Sequence, residues 1–310
     1  MRTLITHASP PAQQPLPGSL QLPHLAALLR LLTPGERVSA LDDALSPLHE
    51  QLLAQAMGLA AKDGLVPSAA LQARGLHLPA ATPGEGWAWL TPCHWQVNSD
   101  HVRMADPLDS QISAEESHTV METLRSYLQE DGIALHGLHD GNWLALGAVF
   151  HDLPTASLRQ AAGGAVDHWL PRQPQARPLR RLQNEMQMLL YSHPVNDARA
   201  ARGLLPINSF WVSGTGTLPA DFTPRPHRTV DALREAALHN DTGAWLQAWR
   251  TLDNGAIQAL LEQARRNEPV ELTLCGDTAA QTFTLQPRGL WSRISQRFAT
   301  TDITALLQSL

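Results

Sequence analysis

The sequence predicts an α/β protein of two lobes, one built from both chain ends and one, of α+β type, from the middle. Three observations predict it. Both ends alternate short strand patterns with helical ones. Past the loop "LPAATPGEG" the chain turns to alternating strands paired around polar turns, with helices between them. Proline-rich stretches, "LPAATPGEG" and "TLPADFTPRPHR", divide the chain into segments 1–85, 86–216 and 217–310. The first and last segments each offer too few strands for a stable lobe, so they are expected to share one sheet.

The elements follow in order. "TLITHAS" reads as a first strand, followed by a proline-rich turn at Pro10–Pro17. "LPHLAALLRLL" has apolar residues at helical spacing and is expected to stop at "TPGER". "SALDDALSPLHEQLLAQAMGLAAKDG" reads as one or two helices, capped by Ser39, divided at Pro47 and stopped at Gly64. "WAWLTPCHWQVNSDHVRMADP" is a hairpin pattern with its turn at Asn98–Asp100. "SAEESHTVMETLRSYLQEDG" opens with a capping box, Ser113 and Glu116, and ends at Gly132. "IALHGLHDGNWLALGAVF" is two strands around Asp140-Gly141. After the linker "PRQPQARP", a helix from Leu179 carries Leu182, Met186, Leu189 and Leu190 on its apolar face. Two helices are expected over 229–239 and 242–267, then strands "VELTLCGD" and "TFTLQ", then short helices "LWSRISQRF" and "ITALLQSL".

Composition narrows the function. The chain has 310 residues, 43% of them hydrophobic, which is ample for a packed core. Its net charge of -6 argues against non-specific nucleic-acid binding, which needs a basic surface. Lys62 is the one lysine among 23 basic residues, so an anion site would be built from arginine forks. Two cysteines, Cys93 and Cys275, with no paired framework, predict a reduced, cytoplasmic protein. No leader, anchor or membrane span is expected.

Several candidate chemistries are poorly placed. In "HGLHDG" a strand would put His136 and His139 on opposite faces, and Asp140 already serves the turn. Cys93 and His94, as strand neighbours, also point apart. "SGTG" lacks the spacing of a dinucleotide loop. No metal ligands and no cofactor are expected, and no catalytic residue is identified.

One stretch stands out, "MLLYSHPVNDARAARGLLPINSFWVSGTG". His193 precedes Pro194, which ends one helix and suits the first turn of another. Asn196, Arg199 and Arg202 then recur every three residues until Gly203. The strand that follows carries Asn208 and Trp211. Imidazole, amide and guanidinium donors gathered at a helix break suit a phosphate or carboxylate. The other reading is a solvated helix face whose arginines pair with Asp197 and other local acids.

The same stretch, from "EMQMLLYSHPVN" to "SGTG", resembles the archaeal-type cofactor-independent phosphoglycerate mutases. They carry a similar leucine helix, a His-Pro-Val-Asn, then an arginine, a glycine, Asn, Trp and Gly-x-Gly. "HWQVNSDHVRMADP", "ISAEESHTVMETLRSYL" and "LPTASLRQAAGGAVDHWLP" follow in the order of that family's substrate-binding insert, so the resemblance covers about 86–216. The whole chain, "LPHLAALLRLL" included, is similar to the bacterial RpfE-type regulatory proteins. The resemblance implies that the terminal lobe is a reduced alkaline-phosphatase-like one and that His193, Asn196, Arg199, Arg202, Asn208 and Trp211 bind a ligand. It also exposes a departure. The mutases hold two divalent metals through an Asp after the first strand, a nucleophilic Ser and a late Asp-His-Gly. Here the first strand ends Thr6-His7-Ala8, and Asp277 is followed by Thr278.

The expectation is therefore a non-catalytic regulatory or ligand-binding protein that takes a small phosphorylated acid or other anion. An active metal-dependent mutase or phosphoesterase is the first alternative. A protein-interaction module with a vestigial site is the second. On the anion reading Arg199→Ala weakens binding about ten- to a hundredfold with modest loss of stability.

Overall fold

In a computed structural model, residues 2–11, 20–107, 109–286 and 302–310 are described. The chain forms two compact units. One comprises Met1–Asp42, Leu48–Ala60 and Pro224–Leu310, the other Asp43–Pro47 and Ala61–Thr223.

The first unit is built on a mixed five-stranded sheet. Its strands are β1 (Arg2–Ile5), β2 (Thr33–Ser39), β9 (His227–Val230), β10 (Glu271–Cys275) and β11 (Ala279–Thr284), in the order β2-β11-β10-β1-β9. β1 lies parallel to β10 on one side and to β9 on the other, so both chain ends contribute to one sheet. β11 and β2 extend it antiparallel. Among the described residues the unit also holds helices α1 (Pro23–Leu31), α2 (Leu48–Met57), α8 (Arg234–Leu238), α9 (Thr242–Leu252), α10 (Gln258–Arg265) and α11 (Ile303–Gln308). A π-helical turn, Asp253–Ile257, joins α9 to α10. Leu25, Leu28, Trp245, Trp249, Leu260, Leu272 and Leu274 are buried together in its core.

Several expectations are corrected here. "TPGER" does not merely stop α1. It enters β2, whose almost wholly exposed residues pair with β11, because an edge partner supplies the hydrogen bonds that propensity does not. Ser39 accordingly ends a strand rather than capping a helix, and α2 stops at Gly58 (φ +89°) rather than Gly64. Thr229 belongs to β9, so the helix placed at 229–239 shrinks to α8, and the one at 242–267 divides at the π turn. The helix expected at "LWSRISQRF" and most of the Pro10–Pro17 turn lie outside the described residues.

The second unit holds an antiparallel sheet, β6-β7-β3-β8, from β3 (Gly86–Cys93), β6 (Ala134–Gly137), β7 (Trp143–Gly147) and β8 (Ser209–Gly216). The hairpin β4 (Trp95–Val97) and β5 (Val102–Met104) stands as a separate pair. Its helices are α3 (Ser68–Gly75), α4 (Ala114–Glu130), α5 (Leu158–Ala161), α6 (Arg177–Tyr191) and α7 (Pro194–Ala201). Strand alternation sorts the faces. Ala88, Leu90, Trp143 and Ala145 pack with α4 and α6, whereas Trp87 and Leu144 pack with α3. The capping box forms as read, with Ser113 Oγ accepting from Glu116 N and Glu116 accepting from Ser113 N. No helix among the described residues is long and apolar enough to cross a membrane.

Candidate functional site

α7 exists because of its first two residues. His193 sits at the N-cap in an extended conformation (φ -77°, ψ 135°), as its place before proline requires, and Pro194 opens the helix. The His193 Nδ1 accepts the Val195 amide at 3.2 Å. In the neutral ring Nε2 therefore carries the proton and donates to Thr123 Oγ1 at 3.0 Å. Thr123 Oγ1 donates to Thr119 O at 3.1 Å, which leaves its oxygen free to accept.

The far end of α7 is tied to the same helix. Glu116 lies two turns before Thr123 on α4, so the two share a face. One Glu116 oxygen accepts from Arg199 Nη1 at 2.6 Å, and the other accepts from Arg202 Nη2. α7 is thus clipped antiparallel along α4, by an imidazole at its start and two guanidiniums at its end. Burial pushes the Glu116 carboxyl up, but the Ser113 amide and the two arginines outweigh it and hold the group below its ordinary range.

Arg199 does more than pair with Glu116. Its side chain is completely buried. Nε donates to Leu205 O at 2.7 Å, Nη2 to Ser110 O at 2.5 Å, and Nη1 also reaches Gln111 O at 3.4 Å. Asn196 is used the same way. Its amide donates to Leu190 O and Ile207 O, both at 2.8 Å, while its oxygen accepts Ile207 N at 2.7 Å. Asn208 pairs with both backbone groups of Trp95, accepting N–H at 2.7 Å and donating to the carbonyl at 2.8 Å. Trp211 is buried, its indole N–H on Ala156 O at 2.9 Å.

The sequence brings these six residues together, but the structure corrects the direction in which they point. Asn196, Arg199, Asn208 and Trp211 turn their polar atoms onto backbone groups of the protein, Arg199 on Ser110, Gln111 and Leu205, Asn196 on Leu190 and Ile207, Asn208 on Trp95 and Trp211 on Ala156. Arg199 therefore cannot offer the open fork expected of an anion anchor. Arg202 is the exception, with its side chain 54% exposed, and His193 is half-buried. The glycines of "SGTG" also have a packing reason. Gly214 (φ +61°) lies under Ser68 and Trp89, where a Cβ would come within 2.7 Å of Trp89 Cδ1, so α3 can approach β8. The spacing of the motif carried no sign of Thr123, and Glu116 was legible only as a cap.

Sequence reasoning passed over a second place. β9 and β10 flank β1 in parallel, and Thr6 and His7 follow its carboxyl end. Thr6 Oγ1 there donates to Asp231 Oδ1 at 2.8 Å. Thr6 can then only accept from His7 Nδ1 at 3.1 Å, which fixes the proton of neutral His7 on Nδ1. His7 is buried in a left-handed conformation (φ +56°), its carbonyl held by the Trp245 indole at 3.1 Å and its ring 5.1 Å from that of His49. A non-glycine residue held there is strained. Its only sequence signal was a histidine where the resembling family has a carboxylate.

That family's two divalent ions do not fit this strand end. Asp231 already accepts the Thr6 hydroxyl. Among the described residues no three His, Cys, Asp or Glu side chains come together to hold an ion. In "HGLHDG", Asp140 accepts from Asn142 N at 3.0 Å in the turn, and the His136 ring packs 5.4 Å from that of Trp87.

No family model matches the chain. It is 30% identical over 157 residues to the 2,3-bisphosphoglycerate-independent phosphoglycerate mutase of Methanosarcina barkeri (strain Fusaro / DSM 804), a match covering 49% of this chain and 36% of that protein. The enzyme of the same description from Methanosarcina mazei is 28% identical over 130 residues, 40% of this chain and 32% of that one. The matches thus span about a third of the length of these curated relatives. Among solved structures, the PH0037 protein from Pyrococcus horikoshii superposes with a TM-score of 0.50 at 11% identity, over 91% of this chain and 87% of that one. The cofactor-independent phosphoglycerate mutase from Thermoplasma acidophilum DSM 1728 gives 0.40 at 13% identity, over 100% and 99%. The chain is similar in sequence to these mutases and is a mixed α/β protein.

Proposed function

We propose that this chain is a non-catalytic regulatory or ligand-binding protein, similar to the RpfE-type proteins, that uses a phosphoglycerate-mutase-like scaffold to hold a small phosphorylated acid or other anion. The observation that carries the reading is a contrast between two places. The helix clip of α7 on α4 is complete, with every polar atom of Asn196 and the Arg199 fork satisfied. The strand end that would have to drive phosphoryl transfer presents Thr6, His7 and an Asp231 that accepts from Thr6, and among the described residues no group of three His, Cys, Asp or Glu side chains gathers to hold an ion. Phosphoryl transfer depends on charge neutralisation by such ions, so recognition can persist where turnover has gone.

On this reading Arg202, whose side chain is 54% exposed, makes the anion contact, while His193, with both ring nitrogens engaged, fixes the start of α7 beside it. Arg199, Asn196, Asn208 and Trp211 are positioning residues that hold the loops and β8. The test is a thermal-shift series on wild type and Arg202→Ala with 3-phosphoglycerate, sulfate and citrate, run beside a mutase assay with manganese. A shift for wild type that falls about tenfold in affinity in Arg202→Ala, with no turnover, is the expected result. Turnover with manganese would instead mark an active mutase. No shift with any anion would sink the ligand-binding reading and leave an interaction module.

A further inference from the structure

Two guanidiniums share one carboxylate where the end of α7 meets α4. Glu116 Oε2 accepts from Arg199 Nη1 at 2.6 Å and from the Ser113 amide at 3.0 Å, while Oε1 accepts from Arg202 Nη2 alone. The two oxygens are therefore unequal. The inner one is held twice, and its arginine is completely buried; the outer one is held once, by an arginine whose side chain is half exposed. The other contact of Arg202, from Nε to Ala198 O, is long at 3.3 Å, and among the described residues its Nη1 meets no acceptor. No second acid completes the cluster. Glu115 and Asp197 are exposed nearby, yet neither pairs with Arg199 or Arg202. Arg199 otherwise meets only neutral carbonyls. Two positive charges thus stand in contact with one negative charge, and the surplus lies toward solvent on Arg202.

We propose that Glu116 is the resident competitor of the anion at this site. Its outer oxygen occupies Arg202 until an incoming phosphate or carboxylate takes the guanidinium over, and its inner oxygen stays on Arg199 and Ser113 throughout. This regulation rests on Arg202 being the anion contact. Binding then exchanges one charge-assisted contact for another at the same guanidinium, so affinity follows the difference between the two. It also depends on how firmly Arg199 holds the inner oxygen. Arg199 draws the carboxylate inward, away from Arg202. Without the Arg199 charge, Arg202 becomes the one charged partner of Glu116, and their pair tightens. The two partners therefore act on the anion in opposite directions: neutralising Glu116 strengthens its binding, and neutralising Arg199 weakens it. A Glu116 that only ties α7 to α4 would behave differently, because removing either partner loosens the same clip and affects the anion in the same direction.

Titration calorimetry of the full chain with sulfate and with 3-phosphoglycerate tests it, since affinity is then read apart from any change in melting temperature. In Glu116→Gln the amide can keep the reciprocal bond of the capping box, a position that glutamine fills as glutamate does. Sulfate affinity should rise roughly two- to fivefold in that variant, the worth of one exposed ion pair. It should fall by a similar factor in Arg199→Met. Adding Arg202→Ala to wild type or to Glu116→Gln should weaken binding at least about tenfold. If Glu116→Gln fails to fold with the Arg199 charge left buried, Glu116→Gln joined to Arg199→Met removes both charges and should still bind sulfate more tightly than Arg199→Met alone. An affinity in Glu116→Gln at or below that of wild type overturns the proposal, as does a change of the same sign in Glu116→Gln and Arg199→Met. In both cases a wild-type affinity that depends on Arg202 leaves the ligand-binding reading standing. Absence of binding in wild type and Glu116→Gln alike overturns both.

Discussion

Replacing Arg199 with methionine keeps most of the side-chain volume and removes every polar contact, which isolates what the guanidinium does. Two losses follow. Glu116 loses its buried partner but keeps Arg202 and the Ser113 amide, and its side chain is 13% exposed, so its charge is not stranded. The carbonyls of Ser110 and Leu205 lose their donors. Ser110 is buried and its carbonyl stays unsatisfied, whereas Leu205 is exposed enough for water to replace the lost bond. An orphaned buried acceptor costs about 1–3 kcal/mol. Breaking a fully buried ion pair costs about 3–5 kcal/mol, and the remaining partners of Glu116 reduce that share. The sum is about 3–4 kcal/mol. For a domain of about 150–250 residues that corresponds to a fall of roughly 6–16 °C in melting temperature. Thermal unfolding followed by tryptophan fluorescence reads it, since Trp211 and Trp143 are buried in the same unit. Arg202→Ala, at a half-exposed position, should cost below about 1 kcal/mol. Arg199→Lys should recover part of the ion pair but not the three carbonyl bonds. If Arg199→Met melts within a degree or two of Arg202→Ala, the account of Arg199 as a buried tie between loops is wrong.

The remaining expectations are briefer. Gly214→Ala meets both a left-handed backbone and a Cβ 2.7 Å from Trp89, and should destabilise by about 1–3 kcal/mol in urea unfolding, with α3 displaced from β8. The Glu116 carboxyl is held below its ordinary value in the folded state, so its contribution is complete above the unfolded-state value and lost as pH falls through the folded one. Wild type should therefore exceed Glu116→Gln in stability at neutral pH, and the gap should close at acid pH; a gap independent of pH would contradict the ion-pair assignment. Elemental analysis of dialysed protein should find no stoichiometric manganese or zinc, and about two retained ions per chain would reverse the reading of the β1 strand end.

Local physics wrote much of the architecture into the sequence. Ser113 and Glu116 announced the start of α4 through reciprocal backbone bonds, Asp140-Gly141 announced a turn, and His193-Pro194 announced a helix break, because each effect acts within a few residues. The shared sheet was legible too, since neither end had strands enough alone. What stayed hidden depends on partners far along the chain. "TPGERVS" is poor strand sequence and became a strand only because β11 offered it hydrogen bonds. Arg199 and Glu116 stand 83 positions apart, and no spacing rule says whether a guanidinium will face solvent or the backbone carbonyls of Ser110, Gln111 and Leu205. The motif thus determined which donors gather at the break between α6 and α7. Only the tertiary structure decided that most of them serve the protein's own backbone, because an unsatisfied buried carbonyl costs free energy whether or not a ligand is present.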